Sequence, residues 1–141
     1  MMYLLDTNVV SELRKVNAGK ADWRVKAWNE GVDAASMFLS AITVLELELG
    51  MLLMERRDTK QGAVLRSWLE MQILPAFAGR ILVVDTPVAL KGAALQVPNP
   101  RSYRDALIAA TALVHGMTVV TRNVKDFKDT GVAILDPWQP R

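Results

Sequence analysis

Four acidic residues stand where elements of secondary structure should begin or end, each in an otherwise apolar stretch. They are Asp6 in Leu4-Leu5-Asp6-Thr7-Asn8, Glu46 in Thr43-Val44-Leu45-Glu46-Leu47, Asp105 in Arg104-Asp105-Ala106-Leu107-Ile108, and Asp126 in Asn123-Val124-Lys125-Asp126-Phe127. A carboxylate is costly to bury unless it is paired or binds a cation. Four of them gathered at one edge of a fold would make an all-oxygen site suited to Mg2+ or Mn2+. Thr7, Asn8, Thr121 and Asn123 lie beside these acids, and such small polar groups can hydrogen-bond carboxylates and orient them. The chain has no cysteine and a single histidine, His115. That excludes a Cys nucleophile, a thiolate metal site and a zinc site built on several histidines. No serine occupies a Gly-x-Ser-x-Gly turn, and there is no Gly-rich phosphate loop.

Each acid also has a purely structural explanation. Asp6 can cap the helix that follows it. Glu46 follows Thr43 by three residues, Asp105 follows Ser102 by three and Asp126 follows Asn123 by three, which is the spacing of a capping box. Spacing alone leaves both explanations open. The joint pattern, acids and small polar groups at one expected edge, favours a site.

Elements that alternate strand and helix are needed to bring these residues together. Met2–Leu5, Met37–Leu39, Ile81–Val84, Met117–Val120 and Val132–Leu135 read as short apolar strands. Helices are expected over Thr7–Lys15, Ala21–Glu30, Thr43–Arg57, Lys60–Met71, from Asp85-Thr86-Pro87 onward, and over Ser102–His115, with Gly116 as the stop. Leu45-Glu46-Leu47-Glu48-Leu49 alternates with a strand's period, but Thr43 offers a cap and the apolar run continues without a turn signal, so helix is expected. Such an order predicts an α/β fold with a parallel sheet of four to five short strands and helices on both faces. Ligands then sit beyond the carboxyl ends of the strands, where Asp6 and the Thr121–Asn123 turn fall.

The length of 141 residues predicts a single domain, residues 1–141, and about half of the residues are apolar. The net charge is only +2, so distribution carries more information than the total. Arg14, Lys15, Arg56, Arg57, Lys60, Arg101, Arg104, Arg122, Lys125 and Lys128 fall near the acidic segments. An acidic pocket rimmed by cations is one way to hold a polyanion while cutting it. No apolar run approaches the ~18 residues of a membrane span, no signal-peptide pattern precedes the first strand, and the lack of cysteine suits a reducing cytoplasm. Trp23 and Trp28 are expected to pack. His115, late in an apolar helix, is expected to serve the core or the helix end.

Taken together, Leu-Asp-Thr-Asn-Val-Val-Ser-Glu-Leu-Arg-Lys at 5–15, Ser-Ala-Ile-Thr-x-x-Glu-Leu-x-x-Gly at 40–50, Asp-Ala-Leu-Ile-Ala-Ala-Thr-Ala at 105–112 and Thr-Arg-Asn-x-x-Asp-Phe at 121–127 resemble the PIN-domain ribonucleases. More narrowly they resemble the VapC-type toxins of type II toxin–antitoxin systems, in the FitB-like branch. Pro137-Trp138 is similar as well. The resemblance implies a PIN-like three-layer fold and the quartet Asp6, Glu46, Asp105 and Asp126, with Asp6 and Asp105 as ligands of Mg2+ or Mn2+. It implies Thr7, Asn8, Thr121 and Asn123 as supporting polar residues. It further implies RNA as substrate, a cognate antitoxin that blocks the site, and a homodimer within a toxin–antitoxin hetero-oligomer. Glu48, beside Glu46, departs from the pattern. On a helix the two point about 200° apart, so only one can face the site, and the motif selects Glu46.

Two rival readings are weaker. A phosphatase with Asp6 as covalent nucleophile would want a second aspartate at the position held by Asn8. A non-catalytic module would use the four acids only as helix caps and act by binding a partner.

Overall fold

A computed structural model describes residues 1–139. Five parallel strands form one sheet in the order β3-β2-β1-β4-β5. They are β1 (Tyr3–Leu5), β2 (Met37–Ser40), β3 (Ile81–Leu82), β4 (Thr118–Val120) and β5 (Ile134–Leu135). The helices are α1 (Thr7–Leu13), α2 (Trp23–Glu30), α3 (Ala41–Arg57), α4 (Thr59–Trp68), the short α5 (Leu74–Ala76), α6 (Thr86–Ala94), α7 (Tyr103–His115) and the single turn α8 (Val124–Phe127).

Strand alternation divides the core. Leu4 and Val119 face α7, packing with Ile108, Ala109 and Ala112. Their chain neighbours Leu5 and Val120 point to the opposite face, against Val9, Val25, Trp28 and Leu47. Period-two alternation on buried central strands thus gives three layers. Small residues line α7 where it lies on the sheet, and a backbone hydrogen bond from Met117 to Ala112 ties its end to β4. Among the described residues no helix is long and apolar enough to cross a membrane.

The α/β architecture agrees with expectation; several boundaries do not. The helix expected from Thr43 begins at Ala41, because Ser40 caps it by accepting from the Ile42 N–H. Thr43 is instead buried inside the first turn, its hydroxyl without a partner among the described residues. The next helix starts at Thr59, capped by Asp58, and its hydrogen-bond register widens over Leu69–Ile73, where the Leu74 N–H donates to the Leu69 carbonyl. Pro75 follows directly. It brings no N–H and its ring crowds the preceding turn, which accounts for the break short of a regular end. Val83 and Val84 lie beyond β3 and are exposed. Trp28 packs edge-on against Tyr3, but Trp23 is 75% exposed. Five helical positions separate them by about 140°, so they cannot share a buried face. His115 ends α7, just before Gly116 in the left-handed region.

Candidate active site

Parallel pairing puts the carboxyl ends of β1, β2 and β4 on one edge. Asp6 follows β1 immediately, its N–H donating to the Val120 carbonyl at 2.9 Å. Thr121 follows β4, and α3 departs directly from β2 and carries Glu46 in its second turn. Asp105 sits in the first turn of α7, where the Ser102 hydroxyl caps its N–H at 3.1 Å.

Asp6 is completely buried. Its Oδ1 accepts from the Thr7 N–H at 2.8 Å and from Arg104 Nη2. Its Oδ2 accepts from the Thr121 hydroxyl at 2.7 Å and from Asn8 Nδ2 at 3.3 Å. The Asn8 carbonyl oxygen accepts from the Arg122 N–H at 3.2 Å, which turns the Asn8 amide so that its NH2 faces Asp6. Thr121 Oγ1 in turn accepts from the Asn123 N–H at 3.0 Å. Glu46 accepts from the Thr7 hydroxyl at 2.5 Å and from Arg104 Nε at 2.5 Å. Asp105 accepts from Arg104 Nη1 at 2.6 Å.

Arg104 is therefore the hub. Its guanidinium lies among three of the four acids, one nitrogen to each. Burial alone would lower its pKa. The hydrogen bond to Glu46, the charges of Asp6 and Glu46 and the hydrogen bond to Asp105 outweigh that and hold it above its ordinary value. The sequence places Arg104 among the rim cations; it does not place it at the centre. The available signal was its position, adjacent to Asp105 in the first turn of a helix whose start faces the sheet edge.

The fourth acid stands apart. Asp126 is exposed on α8, and its side chain makes no hydrogen bond or ion pair among the described residues. Beside it Arg122 lies 5.1 Å over the ring of the buried Trp138. Asn123 joins the network through its backbone N–H and makes no side-chain cap. Thr7, Asn8 and Thr121 contribute side chains. Glu48 makes no hydrogen bond or ion pair among the described residues, in line with its place across the helix from Glu46.

Capping accounts for only part of what Asp6, Glu46 and Asp105 do. Ser40, not Thr43, starts α3, so Glu46 lies beyond the reach of a capping box. Asp6 caps one N–H, but its other three contacts bind distant side chains or a neighbouring amide. Asp105 directs its carboxylate at Arg104 rather than back to Ser102. As donors, Asp6, Glu46 and Asp105 are all oxygen, the chemistry that hard divalent cations take. Among the described residues no three of them are spaced as a ready cage for one ion; the guanidinium holds the space between.

The fold and this acidic edge define a class. The PIN domain profile matches residues 3–133, and the chain belongs to that family. It is 38% identical over 144 residues to the VapC ribonuclease Y4jK of Sinorhizobium fredii, covering 99% of each chain. It is 42% identical over 142 residues to toxin FitB of Neisseria gonorrhoeae, covering 97% of this chain and 99% of that one. The crystal structure of FitAcB from Neisseria gonorrhoeae superposes with a TM-score of 0.89 at 41% identity, covering 99% of this chain and all of that one.

Proposed function

We propose that this chain is a metal-dependent endoribonuclease and the toxin of a toxin–antitoxin pair. The observation that carries this reading is the convergence of Asp6, Glu46 and Asp105, from three separate elements, on one cation-filled point at the carboxyl edge of the sheet. The PIN-domain membership and the ribonuclease and toxin among its similar relatives support it. Asp6 and Asp105 are the proposed ligands of Mg2+ or Mn2+, with Glu46 completing the site; Asp126, outside the Arg104 cluster, is proposed to act from its rim. Such an ion acidifies water and offsets the negative charge that builds on a phosphodiester during hydrolysis.

The chain's own groups do the positioning. Thr7, Thr121 and Asn8 lock the Asp6 carboxylate in one rotamer. The Thr7 hydroxyl orients Glu46. Arg122 and Lys125, exposed beside Asp126, offer charge to an RNA backbone. Single-stranded or loop RNA, with its bases unstacked, is the substrate form such a shallow edge can take. The cytoplasm is the proposed place of action.

An antitoxin is the proposed protein partner, and a homodimer the proposed assembly. Leu45, Leu49, Leu52 and Leu53 form an exposed apolar stripe along α3, at helical spacing. A second copy would cover it.

The test is RNA cleavage by the purified chain. Cleavage is expected with Mn2+ or Mg2+ and lost in EDTA. Undiminished cleavage in EDTA by nuclease-free protein would overturn the metal claim. Light scattering at micromolar concentration should give a dimer, and Leu49→Glu a monomer; a monomeric wild type would overturn the assembly.

A further inference from the structure

A carboxylate offers about four lone-pair positions, and Asp6 has all of them filled. The donors are Thr7 N–H, Arg104 Nη2, Thr121 Oγ1–H and Asn8 Nδ2. Three of these are fixed. Thr7 donates from the backbone of α1, Thr121 is buried, and the Asn8 amide is held by the Arg122 N–H. Only Arg104 is carried on a long flexible stem, with 28% of its side chain open to solvent. A divalent ion bound to Asp6 would sit roughly 2.1 Å from an oxygen that Arg104 now occupies. Its positive charge would also face the guanidinium across the same carboxylates.

We infer that Arg104 is a tethered counter-cation of the acidic site: its guanidinium and a divalent ion exclude each other at Asp6, so ion binding requires Arg104 to swing out toward the rim. The inference rests on the proposed metal-dependent function. Metal-free, Arg104 holds together three acids that would otherwise repel. Its exit needs only side-chain rotation, because it stands in the first turn of α7, next to the exposed Tyr103. Apparent ion affinity is then weakened by the small fraction of molecules with Arg104 already out. Arg104 is a positioning residue in this scheme.

Two measurements on the whole chain test it. The first is Mn2+ binding by calorimetry to wild type, Arg104→Gln and Arg122→Gln. If the inward state dominates ten to one, Arg104→Gln tightens binding by roughly tenfold, and its metal-free Tm falls below wild type. Arg122→Gln, which removes a nearby charge that touches none of the acids, should change affinity by less than about threefold. The second is NMR of the wild-type arginine side chains during Mg2+ titration, which decides the matter even if Arg104→Gln fails to fold. The Arg104 Nε–H should be protected from solvent exchange without Mg2+ and lose that protection at saturation. Unchanged or weaker Mn2+ binding by folded Arg104→Gln overturns the inference, as does equal tightening in Arg122→Gln or an Nε–H still protected at saturating Mg2+. If wild type binds Mn2+ while Arg104 stays in place, only the exchange fails. If neither protein binds Mn2+, the metal-dependent function fails with it.

Discussion

Two arginines in this molecule each hold several carboxylates, and they do different work. Arg66 on α4 donates Nε and Nη2 to the two oxygens of Glu55, at 2.8 and 2.9 Å, and Nη1 to Glu70 at 3.0 Å. Arg104 makes the same fan, but to three separate acids from three elements. The partners of Arg66 are partly exposed, and water would solvate them if it were gone. The central partner of Arg104 is fully buried. An exposed ion pair fastens two helices and contributes little. A buried acid stranded without its counter-charge is a cost the fold must offset, so the Asp6–Arg104 contact bears more on stability than the Glu55–Arg66 contact does.

The largest expected effect tests that contrast directly. Asp6→Asn and Asp105→Asn should each lower RNA cleavage by about 100-fold or more, because each removes a proposed charged ligand. Asp6→Asn should also lose about 1–3 kcal/mol of stability, since its NH2 would face groups that are already donors. Full activity in Asp6→Asn, measured by RNA cleavage, would return Asp6 to the role of a cap, which Asn fills as well.

Next in size is the pair Glu46→Gln and Glu48→Gln. The first removes a partner of Arg104 and Thr7 and should lower RNA cleavage by about tenfold or more. The second should cleave like wild type. Equal losses in two folded proteins would show that the charge near α3 matters and not the contact.

The α3–α4 hairpin sharpens the other side. Its closest approach is not the ion pair but Gly62, where an added Cβ would lie 2.2 Å from Glu55 Cα. Backbone cannot yield cheaply, so Gly62→Ala should cost about 1–3 kcal/mol, read as a fall in Tm. Arg66→Gln should produce the smallest change: a slight fall in Tm, with cleavage and Mn2+ affinity unchanged. The hydrogen bond from Arg66 holds the folded Glu55 carboxyl below its ordinary pKa. Its contribution is therefore present above the unfolded carboxylate pKa and is lost as pH falls through the lowered value. The Tm gap between wild type and Arg66→Gln should narrow on acidification. A gap that widens would mean Arg66 acts through packing.

Residue type and spacing, by themselves, determined the layered α/β fold, the helical placement of Glu46 against Glu48, and the acids and hydroxyls at the sheet edge. These depend on period, caps and strand ends, which are local along the chain. Ser40 and Thr43 both carry capping chemistry, and only strand pairing decides that β2 ends at Ser40 and that α3 therefore starts there rather than at Thr43. The tertiary structure alone decided that Arg104 stands among acids 58 and 98 residues away, and that Asp126 remains outside that cluster. Those distances are set by the register of parallel strands brought together through intervening helices. An arginine's sequence neighbours do not reveal which distant carboxylate will be buried against it.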